Sequence, residues 1–396
     1  MNVDFEFLSE QPIENVITCL NFRFDKVVFF GYTDTVRKMK KQTRDFLTGH
    51  CGVSEVLFFQ MKQHDLQQVT EGIRERVREE RSAGNKVFFD TTGGEPLLLL
   101  AFGIMSREMK VPVHSYEVKE KAKLHLLEST SGESVREIVP EQKIRLDLDM
   151  FIRMYGASIE PRRKRKDFPT VDIREIEDET FRQMIPRIWN MWKKYAGVWT
   201  DFSDFLKKAH QYGAGLRYEM TTQQALGIIR TIQATHGGFT PKIAKAMLEE
   251  FHKAGVLGEY RWNENKQKLL FAYSSLAVKK CLSDSGSILE LYVGQQELEH
   301  SDDCRVGVRI DWDGDPHDNP EYDVENEIDV LTLKGYSLCF ISCKIGNVSK
   351  VALYELFTVA NRFGGDYSKK RLVAQKGVTR AEQLRAEELG IEVVRM

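Results

Sequence analysis

The sequence predicts an α/β protein of more than one domain, and three observations predict it. Its 396 residues are too many for one ordinary hydrophobic core. As far as about Val118, short apolar runs alternate with amphipathic helical stretches, the rhythm of a parallel sheet covered by helices. From Ser283 a second alternation begins in a different order, and the chain between the two reads as mainly helical.

In the first unit, Val3 to Phe7, Val27 to Gly31, Val53 to Phe59, Lys86 to Asp90 and Val111 to Tyr116 read as strands. Between the third and fourth, Leu66, Val69, Ile73 and Val77 recur at helical spacing, with Arg74, Glu75, Arg78 and Glu79 off that stripe, so one side of the helix faces the sheet. Lys121 to Arg153 reads as irregular strands and a short helix that close the unit. The charge run Arg162 to Lys166, after Pro161, marks the first boundary and reads as a solvated linker rather than a nucleic-acid contact.

The middle region, Glu177 to about Lys280, ends in a helix at Pro241 to Lys253 with Ile243, Met247, Leu248 and Phe251 inward. Two short strands follow, around Tyr260 to Trp262 and Leu269 to Tyr273. This order resembles a winged helix. Thr240 to Lys253 offers only three lysines, which favours a docking module over a reader of the major groove.

The last unit reads as a helix at Ser287 to Leu298, strands at Arg305 to Trp312, Glu327 to Leu333 and Ser337 to Lys344, a helix at Ser349 to Phe363, a strand at Lys370 to Ala374, and a final helix and strand. That order predicts a mixed sheet. The expected division is therefore residues 1–160, 161–282 and 283–396.

Composition narrows the function classes. With 42% hydrophobic and 29% charged residues the chain is expected to fold as a soluble globular protein. Its 57 Lys+Arg against 59 Asp+Glu give a formal charge of -2, so any hold on nucleic acid must come from a local patch. Six cysteines without a CxxC pair suit reduced packing thiols. The start lacks a basic-then-apolar leader, and the apolar run Leu97 to Met105 is too short to span a bilayer, so a cytoplasmic protein is expected.

Two constellations carry chemistry. Ser9-Glu10-Gln11, Tyr32-Thr33-Asp34 and Thr91-Thr92-Gly93-Gly94-Glu95 all fall where strands of the first unit end, which is where open α/β sheets hold ligands. At the third, a strand runs through two hydroxyl residues and two glycines into the helix that begins at Pro96, leaving backbone amides open to an anion. The same stretch also reads as a plain strand-to-helix turn capped by threonine. There is no GxxxxGK[ST] and no GxGxxG, which argues against nucleotide hydrolysis and dinucleotide chemistry.

In the last unit, period-two alternation sets Glu327 and Asp329 on one strand face, and Ser342 and Lys344 on a face of the next strand, so Asp329 and Lys344 can meet. Upstream, Glu290 sits in the apolar helix Ile288 to Val293, where a metal would compensate its charge. Carboxylates that hold Mg²⁺ or Mn²⁺ beside a cation are what metal-dependent cleavage of a phosphodiester requires. Asp311, Asp313 and Asp315 lack calcium-loop spacing and read as loop or supporting residues.

Both constellations resemble one family. FLSEQPIENV from Phe7, VVFFGYTDT from Val27 and VFFDTTGGEP from Val87 resemble the CARF sensor domain of type III CRISPR systems, a Rossmann-like domain that binds cyclic oligoadenylates. The resemblance implies Ser9, Glu10, Gln11, Thr33, Thr91, Thr92, Gly93 and Gly94 as ligand-binding residues. Where many relatives carry Thr-Lys after the glycines, this chain has Glu95-Pro96.

VGVRIDWDGD, NEIDVL, FISCKIG and LYELFTVANRFGG resemble the restriction-endonuclease-like half of CARF nucleases, with the signature D…(D/E)xK. That implies Glu290, Asp329 and Lys344 as catalytic residues and Glu290 and Asp329 as ligands to Mn²⁺ or Mg²⁺. Ser342 stands at the acidic position of the second element, with Glu327 and Glu355 as the acids that could replace it. The implied function is cleavage or nicking of DNA, with RNA as a further substrate, switched on by cyclic tetraadenylate bound across a homodimer. The alternative is a ligand-responsive transcription regulator with an inert nuclease fold, drawn from Ser342 and the Arg162 to Lys166 run.

Overall fold

The computed structural model describes residues 1–61, 65–118, 123–127, 135–138, 144–159, 179–263, 267–314 and 325–396. The Arg162 to Lys166 run, the start of the middle region at Glu177, and Asp315 lie outside them.

The chain is α/β throughout, with three sheets. The first contains β1 (Asn2–Phe7), β2 (Lys26–Tyr32), β3 (Glu55–Met61), β4 (Lys86–Asp90), β5 (Val113–Glu117), β6 (Lys123–Leu127) and β7 (Val135–Ile138). Their order is β3-β2-β1-β4-β5-β6-β7, parallel as far as β5 and antiparallel beyond it. The helices between them are α1 (Ile17–Asn21), α2 (Thr33–His50), α3 (Leu66–Ser82) and α4 (Pro96–Met109).

Each helix starts and packs for a local reason. Asp65 caps α3 by accepting the Gln68 amide at 2.9 Å, and the expected stripe Val69, Ile73, Val77 is buried against Val3, Phe5, Val28 and Phe30. Pro96 opens α4 at a position whose amide has no helical partner in any case. The other face of the first sheet, with Val27 and Phe29, joins a core continuous with Val308, Ile310, Phe340, Leu353 and Phe363 of the last unit. The two α/β units therefore share packing.

After α5 (Leu148–Met154) comes β8 (Ser158–Ile159), which pairs with the third sheet and not the first. The helices α6 (Glu179–Tyr195), α7 (Trp199–Ala209), α8 (Thr222–His236), α9 (Pro241–Lys253) and α10 (Leu276–Ser283) surround the middle sheet. This sheet is wider than the sequence suggested: β9 (Gly213–Ala214) and β10 (Arg217–Thr221) extend β11 (Leu257–Asn263) and β12 (Lys268–Tyr273) into four strands ordered β11-β12-β10-β9. In β10, Tyr218 and Met220 alternate inward while Arg217, Glu219 and Thr221 face out. Five residues of period two are too few to stand out within a helical stretch.

The last unit begins with α11 (Ser287–Leu298) and is built on β13 (Asp303–Asp311), β14 (Glu325–Lys334), β15 (Ser337–Lys344), β16 (Lys369–Ala374) and β17 (Ile391–Arg395). With β8 they form a mixed sheet ordered β17-β16-β15-β14-β13-β8. Alongside it run α12 (Lys350–Gly364), capped by Ser349 at the Ala352 amide, and α13 (Arg380–Glu388). Among the described residues no helix is long and apolar enough to cross a membrane. All six cysteines are free thiols, five of them buried.

Candidate functional site

The Thr91 to Gly94 turn lies at the carboxyl end of β4 and is fixed from two sides. The Thr91 amide and hydroxyl both donate to the His114 carbonyl, at 2.9 and 3.0 Å, and the Thr92 hydroxyl accepts the Tyr116 amide at 2.8 Å. Asp90, buried at the end of β4, accepts the Thr92 amide at 2.7 Å. Both threonine side chains thus hold the turn onto β5.

The glycines meet the Ser9 loop. A Cβ on Gly93 would stand 2.8 Å from a Glu14 carboxylate oxygen and 3.1 Å from the Ser9 Cβ. Gly94 has φ +115°, and a Cβ there would lie 2.7 Å from that of Phe7. No side chain fits at either position.

The Ser9 loop is shaped by a residue that sequence reasoning passed over. Asn15, buried, accepts the Ser9 amide at 2.7 Å and donates to the Ser9 carbonyl at 2.9 Å, while the Ser9 hydroxyl accepts the Gln11 amide at 3.0 Å. Glu10 reaches Lys38 at 3.2 Å, and Thr33 opens α2 directly after β2. Ser9, Gly93 and Gly94 are thus in close packing, Gln11 is tied to Ser9, Thr91 and Thr92 form the base of the turn, and Glu10 and Thr33 stand at the rim.

This rim touches the last unit. Gln11 Oε1 accepts the Asp366 amide at 3.4 Å, and Glu14 accepts the Tyr367 hydroxyl. Burial raises the Glu14 carboxyl above its ordinary pKa, while the Ser9 and Tyr367 hydroxyls draw it back. Gly365 has φ +56°, and a Cβ there would lie 1.9 Å from Gln11 Oε1, so the Gln11 amide would have to move aside. A second contact joins Asn21 to Tyr336, at 2.8 Å.

In the last unit, Asp329 on β14 faces the end of β15. Its Oδ2 accepts the Cys343 amide at 2.6 Å, the Ser342 hydroxyl at 3.2 Å and the Lys344 ammonium at 3.4 Å. Oδ1 has no donor among the described residues. Glu290 on α11 is half-buried, and enclosure followed by the negative charge of Asp329, Asp284 and Glu327 pushes its carboxyl up to about 8.

A divalent ion suits this arrangement, since it would offset carboxylates that repel one another. Among the described residues Glu290 and Asp329 belong to no set of three potential ligands whose donor atoms lie within 4.8 Å of one another. Glu327 is exposed and pairs with Arg309 at 3.3 Å, and Glu355 is exposed on α12. Asp284, which also acts on Glu290, is an acid the sequence reading did not single out; its nearness to the helix start was the available signal.

No family model matches the chain, and no curated protein matches it. Among solved structures it resembles the protein VC1899 from Vibrio cholerae, at 17% identity over 100% of this chain and 94% of that one, with a TM-score of 0.72. It also resembles Can2 from Sulfobacillus thermosulfidooxidans, solved in complex with cyclic tetra-adenylate, at 16% identity over 100% and 95%, with a TM-score of 0.62. At these identities the likeness establishes the fold along the whole chain.

Proposed function

We propose that the chain is a metal-dependent nuclease switched on by a cyclic oligoadenylate, acting on DNA, with RNA as a further substrate, in CRISPR antiviral defence. The observation that carries this reading is the hold on Asp329: one oxygen is fixed by Cys343, Ser342 and Lys344, with Glu290 crowded nearby. Its whole-length likeness to a protein solved with cyclic tetra-adenylate supports the sensor half.

In this reading the domains are residues 1–160, 161–282 and 283–396, the first binding the ligand and the last cutting. Ser9, Glu10, Gln11, Thr33 and the Thr91 to Gly94 turn contact the ligand. Glu290 and Asp329 would hold Mn²⁺ or Mg²⁺, which supplies Lewis-acid polarisation of the phosphate and an acidified water. Lys344, anchored on Asp329, orients the attacking water and offsets charge developing on the phosphorane. Ser342 stabilises Asp329 by hydrogen bonding, in place of an acid that would bind the ion itself.

A homodimer is proposed because a ring of an even number of identical units has two-fold symmetry, matched by two copies of one surface. In support, α4 starts beside the Gly94 turn and leaves Leu100 and Ile104 exposed, 53% and 41%.

The test mixes the protein with plasmid or single-stranded DNA, Mn²⁺ and cyclic tetraadenylate. Nicking is expected only when ion and ligand are both present. Cleavage indifferent to the ligand removes the switch, and sequence-selective binding without cleavage supports the transcription-regulator reading instead.

Communication is proposed to run through the Ser9 loop into residues 365–367. Tyr367→Phe removes one hydrogen bond to Glu14. The expected result is roughly fivefold weaker activation, the worth of a bond of about 1 kcal/mol, with ligand affinity little changed. Equal activation of variant and parent would place the coupling elsewhere.

A further inference from the structure

Beneath the Thr91 to Gly94 turn, three parallel strands bring together Asp4 (β1), Asp90 (β4) and His114 (β5), all buried. Among the described residues they are the one set of three potential ligands whose donor atoms lie within 4.8 Å of one another. His114 Nε2 is 3.4 Å from Asp4 Oδ2 and 3.5 Å from Asp90 Oδ2. Asp4 is 0% exposed, and neither of its oxygens receives a hydrogen bond of ordinary geometry; nor does His114 Nε2 make one.

We infer that these three side chains form a structural zinc site in the sensor domain, separate from the nuclease centre. An imidazolium paired with carboxylates closes to about 2.7–2.9 Å. Three groups that converge yet stop short of that distance leave space for a central atom. Tetrahedral zinc with bonds of about 2.0–2.1 Å sets its ligand atoms about 3.4 Å apart, whereas octahedral magnesium at similar bond lengths sets adjacent ligands about 2.9 Å apart.

Charge points the same way. A divalent cation with two carboxylates and a neutral imidazole is neutral overall, whereas an imidazolium leaves one net negative charge buried in the sheet.

The surroundings suit a fixed site. Phe24 stacks on the His114 ring with centroids 5.9 Å apart. The Thr18 hydroxyl donates to Asp90 Oδ2, and Asp90 Oδ1 accepts the Thr92 amide, so outer groups orient this ligand. Water would complete the fourth position, which keeps the set neutral. The ion would tie three adjacent strands together directly under the Gly93-Gly94 turn.

The full-length protein, treated with chelator and desalted, is titrated with Zn²⁺ and separately with Co²⁺. The expected result is one tight Zn²⁺ per chain, a tetrahedral Co²⁺ absorption spectrum displaced by Zn²⁺, and a higher melting temperature with zinc than with chelator. Asp329→Ala should retain all three, which separates this site from the proposed nuclease centre, while the near-isosteric Asp4→Asn should lose them. A parent protein that gives no Co²⁺ spectrum and no zinc-dependent melting shift overturns the inference, leaving an imidazolium between two carboxylates. Because that measurement is made on the parent, the test stands even if Asp4→Asn fails to fold.

Discussion

Replacing Asp329 with alanine is expected to lower ligand-activated DNA cleavage about 10³-fold, because the several kcal/mol an ion contributes to the transition state correspond to a decade for each ~1.4 kcal/mol. The change removes a proposed metal ligand and the anchor of Lys344 together. It also leaves the Cys343 amide and the Ser342 hydroxyl without their acceptor at the end of β15, so some stability is lost there. Cyclic tetraadenylate binding should be unchanged, since the turn proposed to bind it is held by β4, β5 and the Ser9 loop. Cleavage is read on supercoiled plasmid with Mn²⁺, and binding by calorimetry on the same preparation. Cleavage retained at a tenth of the parent rate or better would move the active site away from Asp329. Ligand binding lost along with cleavage would mean that the variant had misfolded, which a Ser342→Ala control, keeping the anchor, separates from chemistry.

Gly94→Val should have the second largest effect, this time on the proposed ligand-binding turn. At φ +115° a residue with a side chain is strained by about 1–3 kcal/mol, and a Cβ 2.7 Å from that of Phe7 adds roughly 1–3 kcal/mol of overpacking. The turn then either shifts or the sheet end yields, and ligand affinity is expected to fall by at least about tenfold, the equivalent of 1.4 kcal/mol. Urea unfolding should show the loss of stability, and calorimetry the loss of affinity. Basal cleavage without ligand is not expected to rise. A variant that binds cyclic tetraadenylate like the parent would show that the turn does not face the ligand.

Much of the fold was legible because each strand carries its own pattern. The five parallel strands of the first sheet and the three at the centre of the last lie within a few residues of their expected bounds, since runs such as Val27 to Gly31 or Leu338 to Cys343 are too apolar to stand at a surface. Asp329 and Lys344 were expected to meet on the same grounds: alternation along two strands joined by a tight turn fixes which side chains share a face. Glu327 shows the limit of that rule, because it shares the face of Asp329 yet turns outward to Arg309.

The Asp4, Asp90 and His114 set was missed, although a signal was present. Asp4 and Glu6 alternate with Phe5 and Phe7 in a strand that lies inside the sheet and is covered on both faces, where acids are costly unless compensated. Reading the stretch only as a strand hid the question of what neutralises it.

Local pattern, turn chemistry and hydrophobic periodicity thus determined the α/β class, the longer apolar strands and the glycine turn, because each depends on residues a few positions apart. Tertiary structure alone decided what depends on distant parts of the chain: the placement of β8 in the last sheet, the packing of Gly93 on Glu14, the contact of Gln11 with Asp366, and the meeting of Asp4 with His114. The physical reason is that sheet order and domain packing bring these side chains together, and neither is encoded in the spacing of the residues themselves.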